Sequence, residues 1–199
     1  MKRFLIGMVA VLASGLWSLP STAIAQQPLV IKPLAEKKVA ELPAGPLFWR
    51  IENFPALAQA QAAAGPWALV AESAGKVWLF TLGPAGGSSA GATKVAEFGP
   101  IPRVVATQYL LRINEASGPS GSTTPVHTHP GAEAFYVLVG EQSQKTPHGM
   151  TRLGSGQSVA GHGADTPMQV SSSGSTDLHM LVMFVVDATK PFSSPAKFP

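Results

Sequence analysis

Short apolar runs separated by turn-forming residues dominate the sequence between residues 67 and 186. The runs at 76–82, 104–113 and 178–186 are rich in aliphatic and aromatic residues, which suit a pleated and partly buried surface. Segments containing Gly, Pro and Ser interrupt these runs at short intervals, which leaves little room for long helices. Many short strands at this spacing predict an all-β barrel or sandwich.

Composition excludes several other classes of protein. The chain has 199 residues, of which 45% are hydrophobic and 13% are charged, and it contains no cysteine. These values argue against a coiled coil, a charged disordered chain and a disulfide-stabilised scaffold. The basic residues are scattered and form no stripe with interleaved aromatic residues, so we expect no nucleic-acid partner.

The first 25 residues have the pattern of a secretory signal peptide. Lys2 and Arg3 precede an apolar run over 4–19, and Ala23 and Ala25 offer a cleavage site before Gln26. The apolar run is shorter than the roughly 20 residues that a membrane-spanning helix needs. The sequence therefore predicts an exported protein, periplasmic or secreted, with no stable membrane anchor after cleavage.

The rest of the chain divides into four segments by composition. Prolines and charged residues in 26–53 favour an extended arm, and 54–103 reads as an N-terminal extension with one short helix and a hairpin. Residues 104–187 contain the strongest strand signals and form the predicted barrel. Residues 188–199 form a proline-containing tail that is expected to dock on a neighbour. The arm and the tail both favour a homodimer.

Two histidines and a glutamate form the strongest chemical signal in the sequence. His127 and His129 are two residues apart, so on a strand both imidazoles point to the same face. Pro130 and Gly131 then predict a tight turn, which brings Glu133 on the next strand back toward the pair. Two imidazoles and a carboxylate bind Fe, Mn, Ni or Zn and leave positions open for water or substrate. The alternative is an exposed hairpin in which these polar residues serve no common purpose.

The segment 121–140, GSTTPVHTHPGAEAFYVLVG, resembles the first sequence motif of the cupin superfamily. The matching positions are Gly121, His127, His129, Glu133 and Gly140. This resemblance implies a double-stranded β-barrel of the jelly-roll type, with a divalent metal ion held inside by the two histidines and the glutamate. It also implies oxygenase, decarboxylase or isomerase chemistry on a small molecule.

The second cupin motif, which supplies a fourth histidine ligand in the family, is degenerate here. Counting from Gly156 places His162 at the proline position of the motif and Pro167 at the histidine position. Counting from Gly154 places Asp165 at the ligand position instead. The candidates for the fourth ligand are His162, Asp165, Gln169, His179 and water. Among these, His162 is the expected addition to the first three residues.

Two functions remain open on the sequence, apart from a metal-free barrel in which the histidines are a remnant. One is a metal-dependent enzyme, such as a dioxygenase, that acts on a small molecule. The other is a non-catalytic cupin that binds a metal or a small ligand. Polar side chains close to the ion would favour catalysis, and the candidates are Gln108, Tyr136, Gln169 and His179. An apolar cavity around the ion would favour binding.

Overall fold

A computed structural model describes residues 27–199, so the predicted signal peptide at 1–25 lies outside the described residues. The expected all-β class is confirmed, because antiparallel strands make up most of this part of the chain and the helix α1 (Leu57–Ala63) is short. The strands are β1 (Val30–Val39), β2 (Phe48–Phe54), β3 (Ala68–Ser73), β4 (Lys76–Gly83), β5 (Thr93–Phe98), β6 (Tyr109–Gly118), β7 (His127–Thr128), β8 (Gly131–Val139), β9 (Glu141–Thr146), β10 (Gly149–Gly154), β11 (Ser158–Val159), β12 (Gln169–Ser172), β13 (Leu178–Asp187) and β14 (Ser194–Pro195).

The barrel is built around the five-stranded sheet β1-β6-β13-β8-β11. The smaller sheets β10-β9-β12 and β14-β7 complete it. Strand β13 lies in the middle of the large sheet, where it pairs with β6 on one side and β8 on the other. Both faces of β13 are covered, which explains why its sequence is almost continuously apolar rather than alternating.

The two faces of the large sheet pack against different layers. Met180, Val182 and Phe184 of β13 belong to the apolar cluster inside the barrel. Leu181 and Met183 belong to a second cluster on the outer face, where the four-stranded sheet β3-β4-β2-β5 packs. Residue parity along β6, β8 and β13 therefore decides which side chains can reach the barrel interior.

The predicted arm at 26–53 is not a separate segment. Val30–Val39 forms an edge strand that pairs with β6 along its whole length, and Phe48–Phe54 lies inside the four-stranded sheet. Pro33 favoured an arm in the sequence, but the structure accommodates it at a register shift on an edge strand, where a missing N–H costs little. None of the helices among residues 27–199 is long and apolar enough to cross a bilayer.

Candidate metal centre

His127, His129 and Glu133 come together at the mouth of the barrel. Each offers one ligand atom, and these atoms all lie within 4.8 Å of one another. His127 is in β7, which pairs with β14. The backbone of His127 also forms two reciprocal hydrogen bonds with the backbone of Met168, of 3.0 and 2.9 Å. Glu133 is in β8 on the same face as Phe135, so its side chain points into the barrel. The structure thus brings together the three residues that the sequence singles out, although the expected hairpin is not formed: β7 pairs with β14, and β8 pairs with β13 and β11.

Backbone carbonyls orient both imidazoles. Nδ1 of His127 lies 2.8 Å from the carbonyl oxygen of Pro125, and Nδ1 of His129 lies 2.6 Å from that of Phe192. A carbonyl oxygen only accepts hydrogen bonds, so each Nδ1 carries the proton and donates it. In a neutral ring this leaves the lone pair on Nε2, the arrangement in which histidine binds metals.

Glu133 is a buried carboxyl group without a protein partner for one of its oxygens. The residue is 4% exposed, and its Oε2 makes no hydrogen bond within residues 27–199. Its other oxygen, Oε1, is 3.9 Å from Nε2 of His129. Buried polar atoms are usually satisfied, so an orphaned carboxylate oxygen beside two imidazole nitrogens fits a cation-binding site. The donor set of two nitrogens and one oxygen suits a divalent transition metal.

Burial shifts the two innermost groups of the site in opposite directions. It raises the pKa of Glu133 to about 8 and, with a smaller contribution from the nearby His127 and Arg112, lowers the pKa of His129 to about 4. Both shifts favour the uncharged form of the group, as expected where water is excluded. At neutral pH Glu133 and His129 are therefore mostly uncharged in the metal-free protein, and a cation that binds between them would displace the proton of Glu133.

These shifts predict how the stability of the metal-free protein depends on pH. Between pH 4.5 and 6.5, folded Glu133 keeps a proton that the unfolded chain has lost. Over the same interval, unfolded His129 takes up a proton that the folded chain excludes, so the two effects oppose each other. From about pH 6.5 to 8 only the Glu133 effect remains, and the free energy of unfolding should fall by roughly 2 kcal/mol as pH rises.

Urea unfolding with a chelator present, at intervals from pH 6 to 8.5, measures this loss. The Glu133→Gln variant carries a side chain of nearly the same shape that does not titrate, so its unfolding free energy should stay nearly flat over the same interval. Parallel curves for the two proteins would contradict the assignment of a raised pKa to Glu133.

The three residues open into a cavity of about 380 Å³. Its walls are mainly apolar and include Phe135, Val170, Met180, Val182, Phe184 and Phe192. Asn114 is the most deeply buried uncharged polar residue of the wall, at 2% exposed. Its Oδ1 accepts a hydrogen bond of 2.9 Å from Nε of Arg112, while Nδ2 makes no hydrogen bond within the described chain. The cavity therefore suits a small apolar molecule with one hydrogen-bond acceptor.

The fourth ligand position differs from the expectation. His162 does not join the group; its ring lies 6.1 Å from that of His148 and does not line the cavity. The cause is the path of its loop, which packs against the backbone of the segment from His129 to Glu133. The backbone of Gly161 presses against the carbonyl of Glu133, and the N–H of Asp165 donates to the carbonyl of His129 at 2.8 Å.

The other candidates for the fourth ligand also lie elsewhere. Asp165 is exposed, and the Nε2 of Gln169 donates to the carbonyl of Thr124 at 3.1 Å. His179 faces the outer side of β13, where its Nε2 is 3.3 Å from Glu115. Parity along the strand explains this placement, because His179 alternates with the inward-facing Met180. Among the described residues, the group that could hold a metal ion consists of His127, His129 and Glu133.

The polar side chains proposed as catalytic helpers do not converge on it either. Gln108 is exposed, and neither it nor Gln169 lines the cavity. Tyr136 is on the outer face of β8, with its ring 6.5 Å from that of Trp78. Sequence reasoning missed Asn114 and Arg112 instead. The sequence did contain a signal for these two residues. Both are polar residues in the otherwise apolar run of β6, and both lie on the same face of the strand as the inward-facing Ala116.

Comparisons with known proteins give matches to solved structures alone; no family model and no curated protein matches the chain. The DMSP lyase DddQ from Ruegeria pomeroyi DSS-3 is similar at 24% identity over 43% of each chain, with a TM-score of 0.38. A cupin-like protein from Thermotoga maritima MSB8 is 13% identical over 44% of this chain and 65% of its own, with a TM-score of 0.40.

An RmlC-like cupin with a double-stranded β-helix fold from Methanocaldococcus jannaschii is also similar. It is 19% identical over 37% of this chain and 67% of its own, with a TM-score of 0.34. The match covers 43% of DMSP lyase DddQ, which is less than half of that chain. The described residues form an all-β structure of antiparallel sheets, in which His127 lies on β7 and Glu133 on β8.

Proposed function

We propose that this protein is an exported, metal-dependent cupin enzyme with oxygenase-type chemistry on a small, largely apolar molecule. The observation that carries the proposal is the group of His127, His129 and Glu133 at the end of an apolar cavity of about 380 Å³. A cavity of this size accommodates a compact organic molecule rather than a polymer.

Nε2 of each histidine and the carboxylate of Glu133 would hold the ion. When bound, a divalent ion with three protein ligands supplies open positions at which an oxygen donor of the substrate and O2 are activated. The residues that line the cavity would exclude water and orient the substrate. Phe135, Val182 and the other apolar side chains exclude water, and Nδ2 of Asn114 is free to donate a hydrogen bond that orients the bound molecule.

The side chains that line the cavity distinguish an isomerase from an oxygenase. Isomerisation moves a proton between positions of the substrate and needs a side chain to carry it. Among the described residues that line the cavity, the polar ones other than His127, His129 and Glu133 are the uncharged Asn114, Thr124 and Ser193. Chemistry that depends on activation at the metal is compatible with such a wall, which favours an oxygenase over an isomerase.

The same apolar wall also supports a second candidate, a cupin that captures a small molecule on its metal without converting it. Both functions require the metal and the cavity, and they differ in turnover alone. Measurements of substrate consumption and of binding on the same samples therefore distinguish them.

The experiment loads the mature protein separately with Fe(II), Mn(II), Ni(II) and Zn(II). Each form is mixed with a panel of compact catechols, enols and 2-hydroxy ketones, and O2 uptake is followed with an electrode. We expect uptake with one metal and one compound class, and none in the His127→Ala/His129→Ala variant. Tight binding of a compound without O2 uptake or product would favour the capture function and overturn the oxygenase.

Export is part of the same proposal and rests on the pattern over residues 1–25. Expression of the full chain in a bacterium, followed by fractionation and N-terminal sequencing, tests it. A periplasmic or secreted product that begins at Gln26 is the expected result. A product that stays in the cytoplasm with Lys2 and Arg3 intact would contradict it.

A further inference from the structure

We infer that the C-terminal tail, residues 188–199, is part of the metal centre, and that the carbonyl of Phe192 is the positioning group for His129. This inference rests on the proposed metal function. It assigns a role to a segment that is distant from His129 in the sequence, since Phe192 lies 63 residues after it. The tail does not offer a ligand of its own; it acts through the imidazole that it holds.

The contact between the tail and His129 involves both the backbone and the ring of Phe192. Nδ1 of His129 donates to the carbonyl oxygen of Phe192 at 2.6 Å. The two rings are 4.8 Å apart between centroids, and Phe184 lies 4.9 Å from each of them. The hydrogen bond selects the tautomer of His129, and the two phenyl rings restrict its rotation.

The tail is itself fixed at both ends of this contact. Where the tail leaves β13, the N–H of Asp187 donates to the carbonyl of Pro130 at 3.0 Å. Beyond Phe192, β14 pairs with β7, and the N–H of Ala196 donates to the carbonyl of Val126 at 3.0 Å. The tail therefore crosses over His129 and is attached to the histidine loop on either side of it. Such a segment positions the ring with little loss of entropy on metal binding.

Phe192 also connects the metal ligand to the polar part of the cavity wall. The guanidinium of Arg112 lies over the Phe192 ring, with Cζ 4.4 Å from the centroid. Arg112 in turn donates to Asn114 and pairs with Glu36 of β1 at 3.4 Å. Ser193 and Pro195 line the cavity beside Phe192. The tail thus forms one wall of the site as well as holding a ligand.

Removal of the tail should weaken metal binding even though every ligand remains. Without the carbonyl of Phe192, His129 is free to rotate and to place its proton on either nitrogen. Loss of an outer hydrogen-bond partner of a ligand typically costs about 10–100-fold in metal affinity. We expect a loss of this size for Zn(II) in a chain that ends at Lys190.

The experiment compares two truncations and two substitutions by competition with a chromophoric zinc chelator. A chain ending at Lys190 loses the contact, whereas a chain ending at Ala196 keeps Phe192 and β14. Phe192→Ala is matched by Phe198→Ala, because Phe198 packs elsewhere, with Nζ of Lys145 4.8 Å from its ring. The first member of each pair should bind Zn(II) more weakly, and the second should bind like the full chain. Circular dichroism of the metal-free proteins reports whether each variant is folded. Phe192→Ala keeps the backbone carbonyl but removes the ring contacts with His129 and Phe184 that hold it in place, and it carries the test of positioning if the shorter chain does not fold.

A second readout follows the ring itself, without metal. Long-range ¹H–¹⁵N NMR spectra of the full chain at pH 7 should show His129 with its proton on Nδ1. In the chain ending at Lys190, which lacks the accepting carbonyl, this signal should move toward a mixture of tautomers, and in Phe192→Ala, which keeps the carbonyl but loses the ring contacts, it should move in the same direction by a smaller amount. His127, whose Nδ1 donates to Pro125, is the internal reference and should change less.

The outcomes separate this inference from the proposed function. Equal Zn(II) affinity in the full chain and in the folded variants that lack the Phe192 contact overturns the role of the tail and leaves the metal function standing. A full chain that binds none of the four ions overturns both. A 10–100-fold loss confined to the variants that disturb Phe192, with the tautomer change, supports the inference.

Discussion

Alanine at both His127 and His129 lowers the affinity for divalent metal by about a thousandfold or more. The change removes two of the three protein donors in the group. Four-ligand structural zinc sites are worth roughly 10–16 kcal/mol, so two lost donors remove several kcal/mol, and a thousandfold corresponds to about 4 kcal/mol. Competition titrations with Zn(II) and Mn(II), with elemental analysis of the dialysed protein, measure the effect.

The matched control is His148→Ala/His162→Ala, which also removes two neighbouring histidine side chains, but from a pair outside the group. Its affinity should stay within about threefold of the parent protein, because neither ring lines the cavity. Loss of metal in this control would place His162 in the ligand set after all. Retained metal in the His127→Ala/His129→Ala protein would show that the ion binds somewhere else.

Replacing Gly131 with alanine should destabilise the fold by about 3 kcal/mol or more, at or above the upper end of the usual cost of overpacking a core. A Cβ at this position would lie 2.2 Å from the carbonyl oxygen of Val185 and 2.5 Å from Cα of Val186. Both obstacles are backbone atoms of β13, which is paired on either side and cannot yield. Gly131 pairs directly with Val186 at the start of β8, so the strand that carries Glu133 would have to shift.

Gly154→Ala is the matched control, since its nearest contact would be the side-chain Oε1 of Gln157 at 3.8 Å, an ordinary distance. Urea denaturation of the metal-free proteins should show a cost there of no more than about 1 kcal/mol. Similar midpoints for the two variants would mean that β8 and β13 are less closely packed than described.

The sequence predicted the three residues of the group because they lie close together in the chain, between His127 and Glu133. The i, i+2 spacing of His127 and His129 and the turn before Glu133 determine their relation locally, without reference to the rest of the fold. Arg112 and Asn114 in β6 were not predicted, but their position also follows from local spacing. They are two residues apart, so both lie on the inner face once β6 is a barrel strand. Local patterns of this kind can be read from one chain.

The remaining features depend on contacts between distant segments. Whether His162 reaches the site is decided by the path of the loop between β11 and β12, which packs against the backbone of His129 and Glu133. The contact of Phe192 with His129 requires the tail to turn back over the barrel mouth. Val30–Val39 becomes a barrel strand because the edge of β6 is open to it, which the proline-containing sequence of the segment does not reveal.

Anomalous diffraction from a crystal of the metal-loaded protein, collected at the absorption edge of that metal, tests the central claim most directly. The account predicts one peak per chain at the barrel mouth, within about 2.0–2.2 Å of Nε2 of His127, Nε2 of His129 and a carboxylate oxygen of Glu133. A peak at another position, or no peak there with Glu133 hydrogen-bonded directly to His129, would contradict it.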